Sequence, residues 1–214
     1  MSALLYTSTS TSSSKTVKIL AISQANAHGQ AALPKTEEEI AKIQTHANGF
    51  SVISLGGSKA TVDSVAKEMQ DCTWIHLACH GVQRVDDPLK SALILHEGKH
   101  LELQEIVKMN LPNARFAFLS ACQTATGDKQ LTDEAVHLAG GMLLVGYKSV
   151  IATMWSIQDH DGPVVSDLVY ADLLQNKQPD HKRAAEALHF AVEHLRKNEG
   201  AQLLRWVPFI HIGL

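Results

Sequence analysis

A histidine and a cysteine, each at the end of an apolar run, are the residues of this chain best suited to do chemistry. The first run is WIHLACHG, Trp74 to Gly81, and the second is FAFLSACQTATG, Phe116 to Gly127. Each stops abruptly at a reactive side chain followed by small or turn-forming residues. One delivers the His80 imidazole and the other the Cys122 thiol. Attack of a thiol on a carbonyl needs a lowered thiol pKa or a nearby base, donors for the oxyanion, and an acid for the leaving group. His80 supplies the acid and the base. The backbone amides of Cys122 and Gly81 are candidates for the oxyanion donors, and Gly81 lets a substrate backbone approach closely because it has no side chain. If the two runs are neighbouring strands, this is the chemistry of a cysteine hydrolase.

Positioning such a pair is a task for a parallel sheet. A buried parallel strand reads as an apolar run bounded by turn signals, and ligands of open α/β sheets collect outside the carboxyl ends of the strands. Further runs of this kind are Val17 to Ser23, Phe50 to Ser54 and Ser149 to Trp155, with a last strand expected over Trp206 to Ile212. Helical stretches separate them, over about 36–47, 60–70, 131–147, 162–175 and 181–197. Thr36 and Glu39 match a capping box for the first of these helices, and Gly140-Gly141 in the third suggests close packing against the sheet. Residues 91–95 and 99–103 read as a hairpin around Gly98, followed by a short helix to Met109. Strands alternating with helices give an α/β fold with a mostly parallel sheet.

Two other groups bear on the site. Asp159 and Asp161 follow the run that ends at Trp155, so they belong to the same carboxyl edge as His80 and Cys122. Either carboxylate suits a basic substrate side chain, and Asp161 suits equally well a helix cap. Asp86-Asp87-Pro88 reads either as a cleft wall or as a solvated turn. Cys72, His76, Cys79 and His80 are zinc-ligand types, but along an extended strand successive side chains point to opposite faces, so Cys79 and His80 do not converge on one ion. Cys72 and Cys79 are therefore expected in the core.

The 214 residues, 45% hydrophobic and 19% charged with a net charge of −3, describe an ordinary globular chain without an electrostatic case for nucleic acid or an anionic membrane. No run approaches the ~18 apolar residues of a membrane span, and no secretory signal is read at the amino terminus. Three cysteines without a pairing framework point to a reducing compartment, cytosolic or nuclear, with a cytoplasmic location expected. Residues 1–16, with their Ser/Thr repeat, are expected to be a disordered tail, leaving 17–214 as one domain. Neither a Gly-x-Ser-x-Gly elbow nor a phosphate-loop pattern occurs, and no cofactor or metal is called for.

Five blocks taken in order make the chain similar to a known family. They are HLACHG ending at Gly81, LSACQTATG around Cys122, DEAVHLAGG from Asp133, SVIATMWSIQD from Ser149, and WVPFI from Trp206. Together they resemble the CHAT domain, a caspase-like module related to caspases and separases. The resemblance implies a three-layer α/β/α sandwich and a cysteine endopeptidase. In it His80 is the catalytic histidine, Cys122 the nucleophile, Gly81 and Cys122 the oxyanion donors, and Asp159 a substrate-binding residue. It also implies a protein or peptide substrate. Tetratricopeptide repeats usually precede such a domain and are not seen in this sequence, which reads as a stand-alone domain, a fragment of a longer product, or a protein that borrows its recognition surface from a repeat-containing or other regulatory partner. The alternative reading is a catalytically silent scaffold that keeps the fold and binds partners; a non-peptidase thiol hydrolase is a third.

Overall fold

Side chains alternate between the two faces of a strand, and here both faces are apolar, so the sheet must be covered by helices on each side. The computed structural model describes residues 17–82, 84, 86–120, 122–123 and 136–213. The tail expected over 1–16 lies outside them, as does the start of the helix expected from 131. The chain begins with β1 (Lys18–Ser23), α1 (Lys35–His46), β2 (Ser51–Gly56), α2 (Val62–Met69) and β3 (Trp74–Ala78). It continues with β4 (His80–Val82), β5 (Ala92–Ile94), β6 (His100–Glu102), α3 (Leu103–Lys108), β7 (Phe116–Leu119) and β8 (Cys122–Gln123). Last come α4 (Val136–Leu144), β9 (Ser149–Thr153), α5 (Asp161–Leu173), α6 (Ala184–Lys197), α7 (Leu203–Trp206) and β10 (Phe209–Gly213).

Six strands form the main sheet in the order β10-β9-β7-β3-β1-β2, all parallel except β10, which runs antiparallel to β9. On one face Leu20, Ile22, Ile75, Leu77, Ala117, Leu119 and Val150 join the side of α2, α3 and α4. On the other Ile19, Ala21, Trp74, Phe116, Phe118 and Ile151 meet α1, α5 and α6. The architecture is the three-layer α/β/α sandwich. Burying one such Leu, Ile or Phe side chain contributes roughly 1.5–3 kcal/mol, so these two faces dominate the stability of the domain. Cys72 and Cys79 are both buried in the first of them, as expected.

A second, smaller sheet of order β6-β5-β4-β8 lies beyond the carboxyl ends of β3 and β7. The expected hairpin is its β5–β6 pair. Each of the two chemically interesting segments thus leaves the large sheet and enters the small one within a few residues.

Some local expectations give way to tertiary contacts. The first helix starts at Lys35, with Thr36 inside it donating from Oγ1 to the Leu33 carbonyl at 2.8 Å, and no side chain of its own caps it. Glu39 turns into the interior instead of back to Thr36. The close approach at Gly141 is to α3 and not to the sheet: a Cβ there would collide with the Leu103 side chain. The expected terminal strand is preceded by α7, which takes Trp206. No helix among the described residues is long and apolar enough to cross a membrane.

Candidate active site

β3 and β7 are adjacent and parallel, with Leu77 level with Leu119. Their continuations keep together: β4 pairs with β8 in parallel register, His80 opposite Cys122 and Gly81 opposite Gln123. Neighbouring strands lie about 4.8 Å apart, so the backbones of His80 and Cys122 are in direct lateral contact although 42 residues separate them. The crossing from one sheet to the other brings the two residues to the carboxyl edge of the main sheet, where an α/β fold opens to ligands.

His80 is 2% exposed, and its ring Nε2 lies 2.8 Å from the carbonyl oxygen of Ala31. A carbonyl only accepts, so Nε2 carries the hydrogen and donates it. In the neutral ring the lone pair is then on Nδ1, which has no hydrogen-bond partner among the described residues. The carbonyl thus holds one nitrogen of the ring and leaves the other unpaired among the described residues.

Ala31 is set by the loop between β1 and α1. Gln24 donates its amide to the Ala78 carbonyl at 2.9 Å, tying the start of that loop to the end of β3, and the Gln24 side chain donates to the Asn26 carbonyl at 2.8 Å. Leu33 donates its amide to the Ala25 carbonyl at 2.8 Å and closes the loop on itself. Ala25, Ala27 and Leu33 bury their side chains beneath it.

The acidic pair after β9 divides between two tasks. Asp159 Oδ2 accepts from the Lys35 backbone amide at 3.0 Å, satisfying one of the orphan donors at the start of α1 and linking the β9 edge to the loop that carries Ala31. Asp161 is fully buried at the first turn of α5 and takes a forked contact from Arg205, with Nη2 at 2.6 Å from Oδ1 and Nε at 3.1 Å from Oδ2. That bond raises the Arg205 pKa. His160 Nε2 lies 2.8 Å from the same guanidinium nitrogen. Asp161 is thus committed to structure, whereas Asp159 is half-buried. Asp87 pairs with Lys90 at 3.3 Å on the surface, as a solvated turn does.

Directly behind the strand ends is a buried polar cluster. His76 Nε2 is 3.0 Å from Glu39 Oε1, in a geometry too bent for a good hydrogen bond, and the two side chains are 0% and 2% exposed. Ser120 donates from Oγ to Glu39 Oε2 at 3.2 Å. The ring of Tyr170 stands 5.6 Å from that of His76, and Phe118 stands 4.9 Å from it. His76 and His80 therefore serve different partners, and no group of three or more metal-ligating side chains occurs among the described residues.

The Ala31 carbonyl and the Glu39–Ser120 pair were not legible as site features. A backbone oxygen leaves no mark in a sequence, and Glu39 imitates a local cap. The one signal available was that His76 occupies an inward position of a strand whose neighbours on the same face, Trp74 and Ala78, are core residues. A polar residue buried there needs a partner.

The family model of the CHAT domain matches residues 1–214. No curated protein matches the sequence. Two solved structures are similar in fold. One is the complex of Porphyromonas gingivalis RgpB pro- and mature domains, with a TM-score of 0.58 and 12% identity over 92% of this chain and 47% of that one. The other is the Arg specific cysteine proteinase gingipain R, with a TM-score of 0.58 and 13% identity over 92% of this chain and 46% of that one. The chain thus spans about half the length of these structures and shares their fold.

Proposed function

Because the chain belongs to the CHAT domain family, we propose that it is a cysteine-type endopeptidase cleaving protein substrates through a thioester on Cys122. The observation that carries this reading is the register of β4 and β8, which sets Cys122 beside a histidine whose Nδ1 is left for a proton. In the proposed cycle Nδ1 of His80 takes the thiol proton. The thiolate attacks the scissile carbonyl carbon, forming the C–S bond, and the backbone amides of Gly81 and Cys122 receive the oxyanion. Collapse breaks the C–N bond while the imidazolium gives its proton to the departing amine. His80 then deprotonates a water, which attacks the thioester and releases the acid and the thiol. The Ala31 carbonyl holds the ring throughout by accepting from Nε2.

Asp159 is proposed to bind a Lys or Arg side chain immediately before the scissile bond. The amide it accepts from Lys35 does not cancel a carboxylate's charge. The description of gingipain R as an Arg specific cysteine proteinase supports that choice. Substrate selection and switching are proposed to rest with a tetratricopeptide-repeat or other regulatory protein.

The test is covalent capture with a peptidyl acyloxymethyl ketone carrying Arg next to the reactive group. Peptide mapping is expected to place the adduct on Cys122, and Asp159→Asn to slow its formation. An adduct spread over Cys72, Cys79 and Cys122, or one unaffected by His80→Ala, would contradict the reading.

A further inference from the structure

We infer that Glu39 is a positioning residue for the dyad, tying together the three segments on which His80 and Cys122 depend; the inference rests on the cysteine-peptidase reading above. One carboxylate reaches all three. Glu39 sits on α1, eight residues after the Ala31 carbonyl that orients His80. Its Oε1 contacts His76, four residues before His80 on the strand that becomes β4. Its Oε2 accepts from Ser120, two residues before Cys122 on the strand that becomes β8.

The placement is costly, which argues against a filler role. Burying a carboxylate opposes folding, and an apolar side chain on α1 would avoid that cost. Gly162 completes the arrangement. A Cβ at that position would come within 2.9 Å of Glu39 Oε2 and 3.0 Å of Ser120 Oγ, so the first turn of α5 closes over the pair only because the residue is glycine. The groups facing Glu39 are then His76 from β3, Ser120 from the end of β7, and Tyr170 and Gly162 from α5. A nucleophile and a base misplaced by as little as 1 Å lose about a hundredfold in rate, so such a tie is worth its cost.

The experiment compares wild type with Glu39→Leu, Glu39→Gln and Ser120→Ala. It measures the second-order rate of iodoacetamide reaction at Cys122, mapped by mass spectrometry across a pH series on protein shown to be folded by circular dichroism. Leu matches the volume of Glu but offers nothing to His76 or Ser120, whereas Gln accepts from Ser120 and can donate to His76. Glu39→Leu is expected to lower the rate at pH 7 about tenfold and to move the midpoint of its pH profile up towards that of an ordinary thiol, about 8.5. Glu39→Gln is expected to stay within about threefold of wild type. A folded Glu39→Leu protein with the wild-type rate and midpoint overturns the inference, and so does a Gln variant as impaired as the Leu variant. Should Glu39→Leu not fold, Ser120→Ala decides by the same criterion, with a loss of about threefold or more expected. If wild-type Cys122 itself reacts like an ordinary thiol, the peptidase reading fails first and carries the inference with it.

Discussion

His76 and His80 are the same residue type on one continuous segment, both buried, and their surroundings make them opposites. His76 lies within β3, packed between Phe118 and Tyr170, with its Nε2 against a buried carboxylate. His80 opens β4, and its Nε2 meets a backbone carbonyl. A carboxylate partner with aromatic walls makes a histidine a fixture of the core. A single carbonyl partner fixes the ring and its tautomer but leaves the second nitrogen for work. Burial does not distinguish the two, and neither does Nδ1, which in both rings has no hydrogen-bond partner among the described residues; the group facing Nε2 and the place of His80 opposite Cys122 do.

Substitutions can break this contrast from either side. The largest effect is expected from His80→Ala, which should lower peptide cleavage on the order of a thousandfold while thermal unfolding shifts little; steady-state kinetics with a melting curve checks both. His76→Leu should do the reverse. It leaves Glu39 with Ser120 as its remaining hydrogen-bond partner among the described residues and should cost about 3 kcal/mol by denaturant titration, with cleavage by the folded fraction down about tenfold at most. A smaller loss, about 1–2 kcal/mol, is expected for Gly162→Ala, because the added methyl must displace Glu39 or Ser120. Equal losses of activity in His76→Leu and His80→Ala would erase the distinction between the two histidines.

The smallest effect concerns a third histidine. His211 on β10 has its Nε2 2.7 Å from Ser149 Oγ, and partial burial pushes its pKa below the ordinary value. With the folded pKa depressed, the unfolded chain binds more protons between the two values. The stability contributed by neutral His211 is therefore full above about pH 6.5 and is lost as pH falls towards the folded pKa. His181 is shifted in the same direction by burial and adds to this trend. The melting temperature should fall from pH 7 to pH 5, and less steeply in His211→Asn.

The central strands were legible because each is a short apolar run with both faces buried, and the pairing of His80 with Cys122 because each interrupts such a run. What escaped the sequence was long-range pairing. Thr36 and Glu39 have the spacing of a capping box, yet the partners of Glu39 are His76 and Ser120, and the start of α1 is served by Asp159 from 124 residues away. Asp161 presents the local pattern of a helix cap and is claimed instead by Arg205, 44 residues further on. Local patterns name what a side chain can do; the fold decides which of those options is taken.

The thiol inventory simplifies the decisive experiment. Burial raises the Cys72 thiol to about 11, and Cys79 is fully buried, so neither is suited to act as a nucleophile near neutral pH. The central claim is that Cys122 beside His80 cleaves peptide bonds. Hydrolysis of a peptide library rich in Lys and Arg, followed by mass spectrometry for wild type and Cys122→Ala in parallel, tests it most directly. New termini after Lys or Arg are expected with wild type and none with Cys122→Ala; equal cleavage by both proteins, or none by either, would contradict a peptidase centred on Cys122.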